Sequence, residues 1–179
     1  MHATRKLWTW LAVICAMSFA VLGWVGTEIY LTAPPIPQHV VSSKGAVLFS
    51  PGQVQRGQEA WLSAGGQQLG SVWGHGSYLA PDWSADWLHR EALALRGVWA
   101  QRDFGQPFEA LSVGQKAELD SRLKTEMRAN TYDAATQTIT LTPERAQAVQ
   151  QVVQHYTSVF GNDPAMDQLR EQYAMNAGS

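Results

Sequence analysis

A long apolar run opens the chain. Residues 7–25 form a run of 19 residues without a charged side chain. This length is close to the ~20 residues that a helix needs to cross about 30 Å of hydrocarbon. Tryptophans lie near both ends of the run, at Trp8, Trp10 and Trp24, as is typical of side chains at the boundary between lipid tails and headgroups. The run predicts a membrane-spanning helix. Cys15 lies inside it, where we interpret the thiol as a small hydrophobic side chain.

The charges beside this run predict its orientation. Arg5 and Lys6 precede it, and basic residues tend to stay on the cytoplasmic side of a membrane. We therefore expect a cytoplasmic stub and an anchor helix over residues 1–29, with the remainder outside. A cleavable signal peptide is the alternative, but its apolar core is usually shorter and ends in a small-x-small site, which is not evident here.

Residues 30–52 predict a stiff collar followed by a short hairpin. Three prolines in Ala33-Pro34-Pro35-Ile36-Pro37 favour an extended, semi-rigid spacer. The apolar pair at 40–41 and the apolar segment 46–49 flank Lys44-Gly45. This pattern is typical of two strands joined by a tight turn.

Residues 53–179 alternate between helical periodicity and glycine-rich breaks. We predict a helix over 53–63 that ends at Gly65-Gly66, and a glycine-rich loop over 67–83. The next two helices are indicated by apolar residues at helical spacing. The apolar positions are Leu88, Ala92, Leu95 and Trp99 in the first helix, and Leu119, Leu123 and Met127 in the second. The second helix follows a capping box of Ser112 and Gln115.

The C-terminal part predicts one strand and two further helices. Residues 138–141 have a strand-like composition, and Thr142-Pro143 is a typical helix start. The apolar positions of the following helix are Ala146, Val149, Val153, Tyr156 and Phe160. We expect this helix to end at Gly161-Asn162 and a last short one to run from Asp163 toward Tyr173. The predicted fold class is mainly α, with little strand.

Composition excludes several classes of protein. Hydrophobic residues make up 45% of the 179 residues and charged residues 16%, whereas a disordered chain has the opposite balance. The formal net charge of −2 lacks the basic excess of a nucleic-acid binder. A single cysteine excludes an internal disulfide and any metal or haem site that needs two cysteines.

Two groups of residues between 61 and 99 are candidates for a buried core or for a functional site. Five tryptophans occur there, which we interpret mainly as core: Trp61, Trp73, Trp83, Trp87 and Trp99. Five potential metal ligands also occur, but their spacing matches neither the HExxH nor the facial-triad pattern: His75, Asp82, Asp86, His89 and Glu91. The sequence also contains no GxSxG, P-loop or CxxC pattern. We therefore do not expect a self-contained enzyme.

Two longer segments carry a family resemblance. The sequences GTEIYLTAPPIPQHVV, from Gly26, and GQEAWLSAGGQQLGSVWGHGSYLAPDWSADWLHRE, from Gly57, resemble the N-terminal region of quinol-dependent nitric oxide reductases, which belong to the haem-copper oxidase superfamily. The likeness is strongest up to about Trp99 and weaker onward to Phe160. It implies one transmembrane helix followed by a haem-free cytochrome c-like domain over 53–179, placed in the periplasm at the bacterial inner membrane.

The resemblance also implies an activity and a set of partners. Such enzymes reduce two NO to N2O and water with electrons from quinol, as a step of denitrification. A catalytic transmembrane module holds haem b, haem b3 and non-haem iron. We expect this chain to lack those ligands, because its histidines cannot supply them: His2, His39, His75, His89 and His155. The catalytic module would be a continuation of the chain or a separate subunit. Further expected partners are the lipid bilayer and quinol at the surface of the bilayer.

Two parts of the resembling segments indicate whether this chain binds a haem or a calcium ion. The haem-attachment motif of cytochrome-dependent relatives aligns with Gly66-Gln67-Gln68-Leu69-Gly70, so no covalent haem is expected, and Trp61 and Trp73 would fill its volume. Gly76 and Tyr78 match residues that hold a structural calcium shared with the catalytic module. We expect Gly76→Val to weaken calcium retention while the domain stays folded. The alternative function is a membrane-anchored interaction module without an enzymatic role.

Overall fold

The computed structural model describes residues 2–78, 81–161, 163–173 and 175, with the side chains of residues 2 and 3 left out. The chain divides into two compact units, Met1–Ile36 and Pro37–Ser179. Helix α1, His2–Thr32, accounts for most of the first unit. Its segment Thr4–Thr32 contains an 18-residue window with a mean hydropathy of 1.8, and it is the one helix among the described residues that is long and apolar enough to cross a membrane.

A four-stranded sheet lies at one side of the second unit. Strands β1 (His39–Ser42) and β2 (Val47–Phe49) pair antiparallel, which confirms the predicted hairpin. Strand β6 (Thr138–Leu141) pairs with β1 in parallel and with the short strand β5 (Tyr132–Asp133) antiparallel. The strand order is β2-β1-β6-β5. The segment 138–141 is thus a strand as predicted, whereas β5 and the parallel pairing have no counterpart in the prediction.

Helices build the rest of the unit. They are α2 (Gln53–Ser63), α3 (Trp83–Phe104), α4 (Val113–Arg128), α5 (Pro143–Phe160) and α6 (Asp167–Gln172), with short 3-10 turns at Gly66–Gln68, Phe108–Ala110 and Pro164–Met166. The mainly helical class is confirmed. Between α2 and α3, strands β3 (Ser71–Val72) and β4 (His75–Gly76) form a small antiparallel hairpin. The segment predicted only as a glycine-rich loop therefore contains two short strands that pair with each other.

Local capping signals locate the helix ends well. Ser112 and Gln115 form the predicted capping box at the start of α4, and Thr142 caps α5 ahead of Pro143. Each cap satisfies backbone N–H groups that the first helical turn leaves without a partner. Helix α5 ends at Phe160, while Asn162 of the predicted stop lies outside the described residues.

The buried helix faces differ from the predicted ones at several positions. In α3, Leu88 is 44% exposed, while the charged Glu91 is only 3% exposed. In α5, Val153 and Phe160 are partly exposed, and Val152 and Val159 are buried instead. The periodic assignment is wrong at these positions, because contacts with other helices and with β3 decide which residues of each face are covered.

The core of the second unit lies between α3, α4 and α5. Leu95, Trp99 and Leu119 are nearly inaccessible there and pack together with Ala100, Leu111 and Ala148. A second cluster joins α5 to the sheet through Val40, Leu141, Ala146 and Val149. A third, around Trp83 and Val159, lies at the end of α5. The hairpin β3–β4 is attached at this third cluster, through its neighbours in α3.

Candidate functional site on the glycine-rich hairpin

The turn between β3 and β4 presents a tryptophan in a strained backbone conformation. Trp73 and Gly74 are its two central residues, with φ of 53° and 74°, as in the hairpin turns that require positive φ at both positions. A bulky residue rarely adopts this region, and it costs about 1–3 kcal/mol. The Trp73 N–H donates to Oγ of Ser84 at 3.1 Å. Contacts from the start of α3 thus help to hold the turn.

Asp82, the residue that caps α3, fastens the hairpin to the helix. Its Oδ1 accepts from the Ala85 N–H at 3.0 Å, which is the helix cap. Its Oδ2 accepts from the Ser71 hydroxyl at 2.7 Å and from the Gly74 N–H at 2.6 Å. One carboxylate therefore joins the strand, the turn and the helix, and both of its oxygens are engaged.

These hydrogen bonds change the acidity of the carboxyl group. The N–H of Gly74 contributes most, followed by the hydroxyl of Ser71 and the N–H of Ala85, and together they lower the pKa of Asp82 below its ordinary value of 3.8. Donors that point at a carboxylate stabilise its charged form. The folded state therefore holds this carboxylate ionised at a pH where the unfolded chain would bind a proton.

We expect the contribution of Asp82 to the stability of the hairpin to be complete above the ordinary carboxyl pKa of 3.8 and to be lost as the pH falls through the lowered pKa of Asp82. The sign follows because a depressed carboxyl pKa stabilises the folded state above the unfolded value. Hydrogen exchange of the full chain, read out in the segment 71–78 and corrected for the intrinsic exchange rates, should show protection that decreases as the pH is lowered. Asp82→Asn should remove most of this pH dependence. Asp133→Asn, at another exposed carboxylate in a turn, should leave it unchanged.

Gly76 is in tight contact with the opposite strand. Its φ is +138°, and a Cβ built on it would lie 2.3 Å from the carbonyl oxygen of Gly70 and 3.0 Å from Cα of Ser71. Backbone atoms cannot move aside as a flexible side chain can, so a side chain at this position would force the hairpin apart. We therefore expect Gly76→Val to open the hairpin even where the rest of the domain stays folded.

Tyr78 lies just after β4 and is 89% exposed, while Gly76 is also at the surface. These two residues offer a hard cation neutral oxygens only, a carbonyl and a phenol hydroxyl. Asp82 is the nearby carboxylate, and its oxygens already accept three hydrogen bonds. Calcium usually takes 6–8 oxygen ligands with carboxylates among them. Two neutral oxygens do not by themselves make up the ligand set of a calcium ion.

The five potential metal ligands identified in the sequence do not converge. Asp86 accepts from Arg90 and from the Tyr156 hydroxyl, each at 2.7 Å. Burial alone would raise the pKa of Asp86, but these two hydrogen bonds, together with the nearby charges of Arg90 and His155, outweigh it and lower the pKa. Glu91 pairs with Arg145. Across the described part of the chain, no group of three His, Cys, Asp or Glu side chains is placed to hold a metal ion.

Four of the five tryptophans pack in the interior or at its edge, and Trp73 does not. Trp73 is 75% exposed, so the expectation that it fills the volume of a haem is wrong. Trp61 meets Trp83 edge to face, with ring centroids 6.3 Å apart. Trp83 is surrounded by further aromatic rings in similar geometry, at Tyr156, Phe160 and Tyr173. These rings form an aromatic cluster under the hairpin.

The segment at the position of a haem-attachment motif is built to contact this cluster. At Gly66, a Cβ would lie 2.1 Å from the Trp61 ring, and at Gly70 it would lie 2.4 Å from Nε1 of Trp83. A cysteine at the first position or a histidine at the second would therefore collide with an indole. The residues present do not fit a covalently attached haem, both because the ligands are missing and because two tryptophans pack against the glycines.

The comparison with known families agrees with this architecture. The family model for the NorB cytochrome c-like domain of nitric oxide reductase matches residues 37–179, which is the whole second unit. The chain belongs to the NorB family of nitric oxide reductases. No curated protein sequence matches it at a significant level.

Membership explains the arrangement of the two units. An apolar helix ahead of a cytochrome c-like domain fits the N-terminal region of a nitric oxide reductase, and it indicates a membrane-anchored protein. The family implies a catalytic module in the membrane as partner, within a haem and iron enzyme complex. The resemblance seen in the two sequence segments is thereby confirmed at the level of the family.

Sequence reasoning misses the residues that hold the candidate site in place. Asp82 is a potential metal ligand by residue type, whereas in the structure it caps α3 and holds the hairpin. Aspartate is a preferred residue immediately before a helix, so the place of Asp82 ahead of α3 could have identified this role. No local signal indicates the bonds from Ser71 and Gly74, which lie 11 and 8 positions away from Asp82.

Proposed function

We propose that the chain is the N-terminal part of a quinol-dependent nitric oxide reductase, the enzyme that converts two NO to N2O and water. The observation that carries the quinol assignment is the contact of Gly66 and Gly70 with Trp61 and Trp83. A domain that cannot attach haem c cannot relay electrons from a soluble cytochrome through such a haem. Quinol, which resides in the bilayer, then serves as the donor to the membrane module directly.

The second unit docks on the catalytic module through the β3–β4 hairpin. Trp73 and Tyr78 are strongly exposed there, and the segment 72–78 carries no Asp, Glu, Lys or Arg. Tryptophan and tyrosine dominate the energetics of many protein interfaces, because their rings bury a large area at low entropic cost. The strained conformation of Trp73 supports the same role, since strain persists where a fold must present a side chain.

Calcium stabilises this contact. The exposed carbonyl of Gly76 and hydroxyl of Tyr78 are neutral ligands, and the catalytic module supplies the carboxylates. In the complete enzyme, haem b, haem b3 and non-haem iron in that module supply the redox chemistry. This chain positions the module and holds no redox group of its own.

The proposed orientation places the second unit in the periplasm. Arg5 and Lys6 lie at the N-terminal end of α1, where the positive-inside tendency retains them in the cytoplasm. The apolar helix then carries the remainder across the bacterial inner membrane. Electrons from quinol reach the catalytic module within the membrane, and the periplasmic unit covers that module from outside.

The test is to purify the complete enzyme by a tag on this chain and to measure NO consumption with two donors. We expect turnover with a quinol and none with reduced cytochrome c, together with b-type haem in the preparation. Haem staining of this chain on a denaturing gel should be negative. Turnover driven by cytochrome c, or a stained band, would contradict the proposal. Purification without haem and without NO consumption would favour the interaction module that lacks an enzymatic role.

A further inference from the structure

An apolar cleft opens at the surface beside the aromatic cluster. It has a volume of about 210 Å³ and is lined by Trp61, Val72, Trp83, Trp87, Tyr156 and Phe160. These side chains come from α2, β3, α3 and α5. Val72 is the one lining residue that also belongs to the docking segment 72–78, and no step of the proposed reaction has required the cleft.

The rings of the cleft hold one another in fixed orientations. Phe160 lies 5.8 Å from Trp61 and 5.4 Å from Trp83, measured between ring centroids, with the planes inclined at 81° and 61°. Trp87 and Tyr156 are parallel, 5.5 Å apart. Edge-to-face and offset contacts of this kind add to the burial energy of each ring. The cleft is therefore a formed feature of the fold, and a ligand would find its walls already in place.

Size restricts what the cleft can hold. An apolar cavity of about 150 Å³ accepts benzene, whereas sites for drug-sized molecules begin at about 300 Å³. A volume of 210 Å³ therefore suits one substituted ring or two fused rings. Haem and a folded protein segment are both too large for it.

Three of the four polar side-chain atoms in the lining, those of Trp83, Trp87 and Tyr156, are already occupied or buried. The Tyr156 hydroxyl donates to Asp86, and Nε1 of Trp87 donates to Glu91 at 3.1 Å. Nε1 of Trp83 is inaccessible beside Gly70. A ligand thus meets ring faces and a valine, with no charged side chain among the six. A flat, apolar ring fits this surface, and none of the six lining side chains can form an ion pair with a ligand.

The electronic character of the walls selects among flat molecules. Three of the six lining side chains are indoles, whose faces carry negative charge density. Such faces stack best on a ring that is poor in electrons. A quinone is an electron-poor ring, and it is the product that oxidation of quinol leaves in the proposed function.

We propose that the cleft binds the ring of a quinone. The biological relevance of the site rests on the proposed quinol dependence, but the binding itself is a property of this chain and can be measured without turnover. Val72 is the best position for a test, because its side chain lines the cleft and is partly exposed in β3. Val72→Phe would occupy the space of the ligand while preserving a residue type that strands favour.

The experiment titrates the full chain in detergent with duroquinone, followed by saturation-transfer NMR and calorimetry. Duroquinone is fully methylated, so it cannot add to the thiol of Cys15. Durene, which has the same methylated ring without the oxygens, is the matched probe. We expect duroquinone to bind at least tenfold more tightly than durene, and Val72→Phe to weaken it at least tenfold. Val47→Phe makes the same change at an exposed position of β2, outside the cleft lining, and should bind as the unaltered chain does.

Several outcomes would overturn the proposal. Equal binding of durene would mean that the cleft selects shape only, and unchanged binding by Val72→Phe would place the ring elsewhere. Should Val72→Phe misfold, Phe160→Ala removes a wall of the cleft and must then weaken binding. Exclusion of duroquinone from the complete enzyme would mean that the catalytic module covers the cleft. If the enzyme instead turns over with cytochrome c only, the quinol assignment fails while the binding result stands.

Discussion

Replacing Arg145 with methionine is expected to lower the free energy of unfolding by about 3–5 kcal/mol. The Arg145 side chain donates from Nε to Oε1 of Glu91 at 2.7 Å, and Glu91 is nearly inaccessible to water. Without its partner, that carboxylate would be left in a poorly hydrated site between α3 and α5, where the Trp87 N–H still donates to it. An uncompensated buried charge costs more than the pair gains.

Urea unfolding followed by tryptophan fluorescence measures this effect, with the chain kept in mild detergent. Arg102→Met is the matched control, because Arg102 pairs with Asp103 and Glu144 at the surface. Such exposed pairs contribute about 0–1 kcal/mol. The double variant Arg145→Met, Glu91→Leu should regain much of the lost stability, since two apolar side chains can replace a buried pair. Equal losses from Arg145→Met and Arg102→Met would contradict this account.

The largest functional effect is expected from Gly76→Val. Its side chain would overlap the Gly70 carbonyl oxygen, and its backbone would be held at a φ that costs a branched residue about 1–3 kcal/mol. The hairpin should open, so that Trp73 and Tyr78 are no longer presented together. In the complete enzyme we expect calcium content and NO turnover each to fall at least tenfold, while α3, α4 and α5 remain packed.

Two variants separate opening of the hairpin from loss of a ligand. Gly74→Asn adds a side chain where nothing lies within 4 Å and where asparagine tolerates positive φ, so it should behave as the unaltered enzyme. Tyr78→Phe removes a single hydroxyl and should reduce calcium content without changing hydrogen exchange in residues 71–78. Calcium binding and turnover that survive in Gly76→Val would show that the hairpin is a turn without a docking role.

Local signals in the sequence are sufficient to predict much of the fold. The capping residues Ser112 and Thr142 lie within three positions of the groups that they bind, so the start of each helix is encoded beside it. The bounds of α2 are also as predicted, and β1 and β2 lie within one residue of the predicted segments at each end. Hydropathy alone identifies α1, because a bilayer span needs only length and the absence of charge.

Features that depend on distant partners cannot be predicted in this way. The burial of Glu91 has no local signal, because its partner Arg145 lies 54 positions away. Hydrophobicity places Trp73 in the core, whereas its positive φ directs it outward. In the candidate site, the resemblance identifies Gly76 and Tyr78. Only the structure shows that Gly70 and Asp82 hold them in position.

The parallel pairing of β1 with β6 has a consequence for the order of folding. His39 of β1 lies opposite Thr138 of β6. Strand β1 can therefore pair with β6 only after about a hundred further residues have been synthesised. Closing so long a loop slows folding. Until then, the β1–β2 hairpin has an unpaired edge with apolar side chains, and such edges recruit other strands. A chaperone that engages this nascent edge would protect the protein during the interval when it is most prone to aggregate.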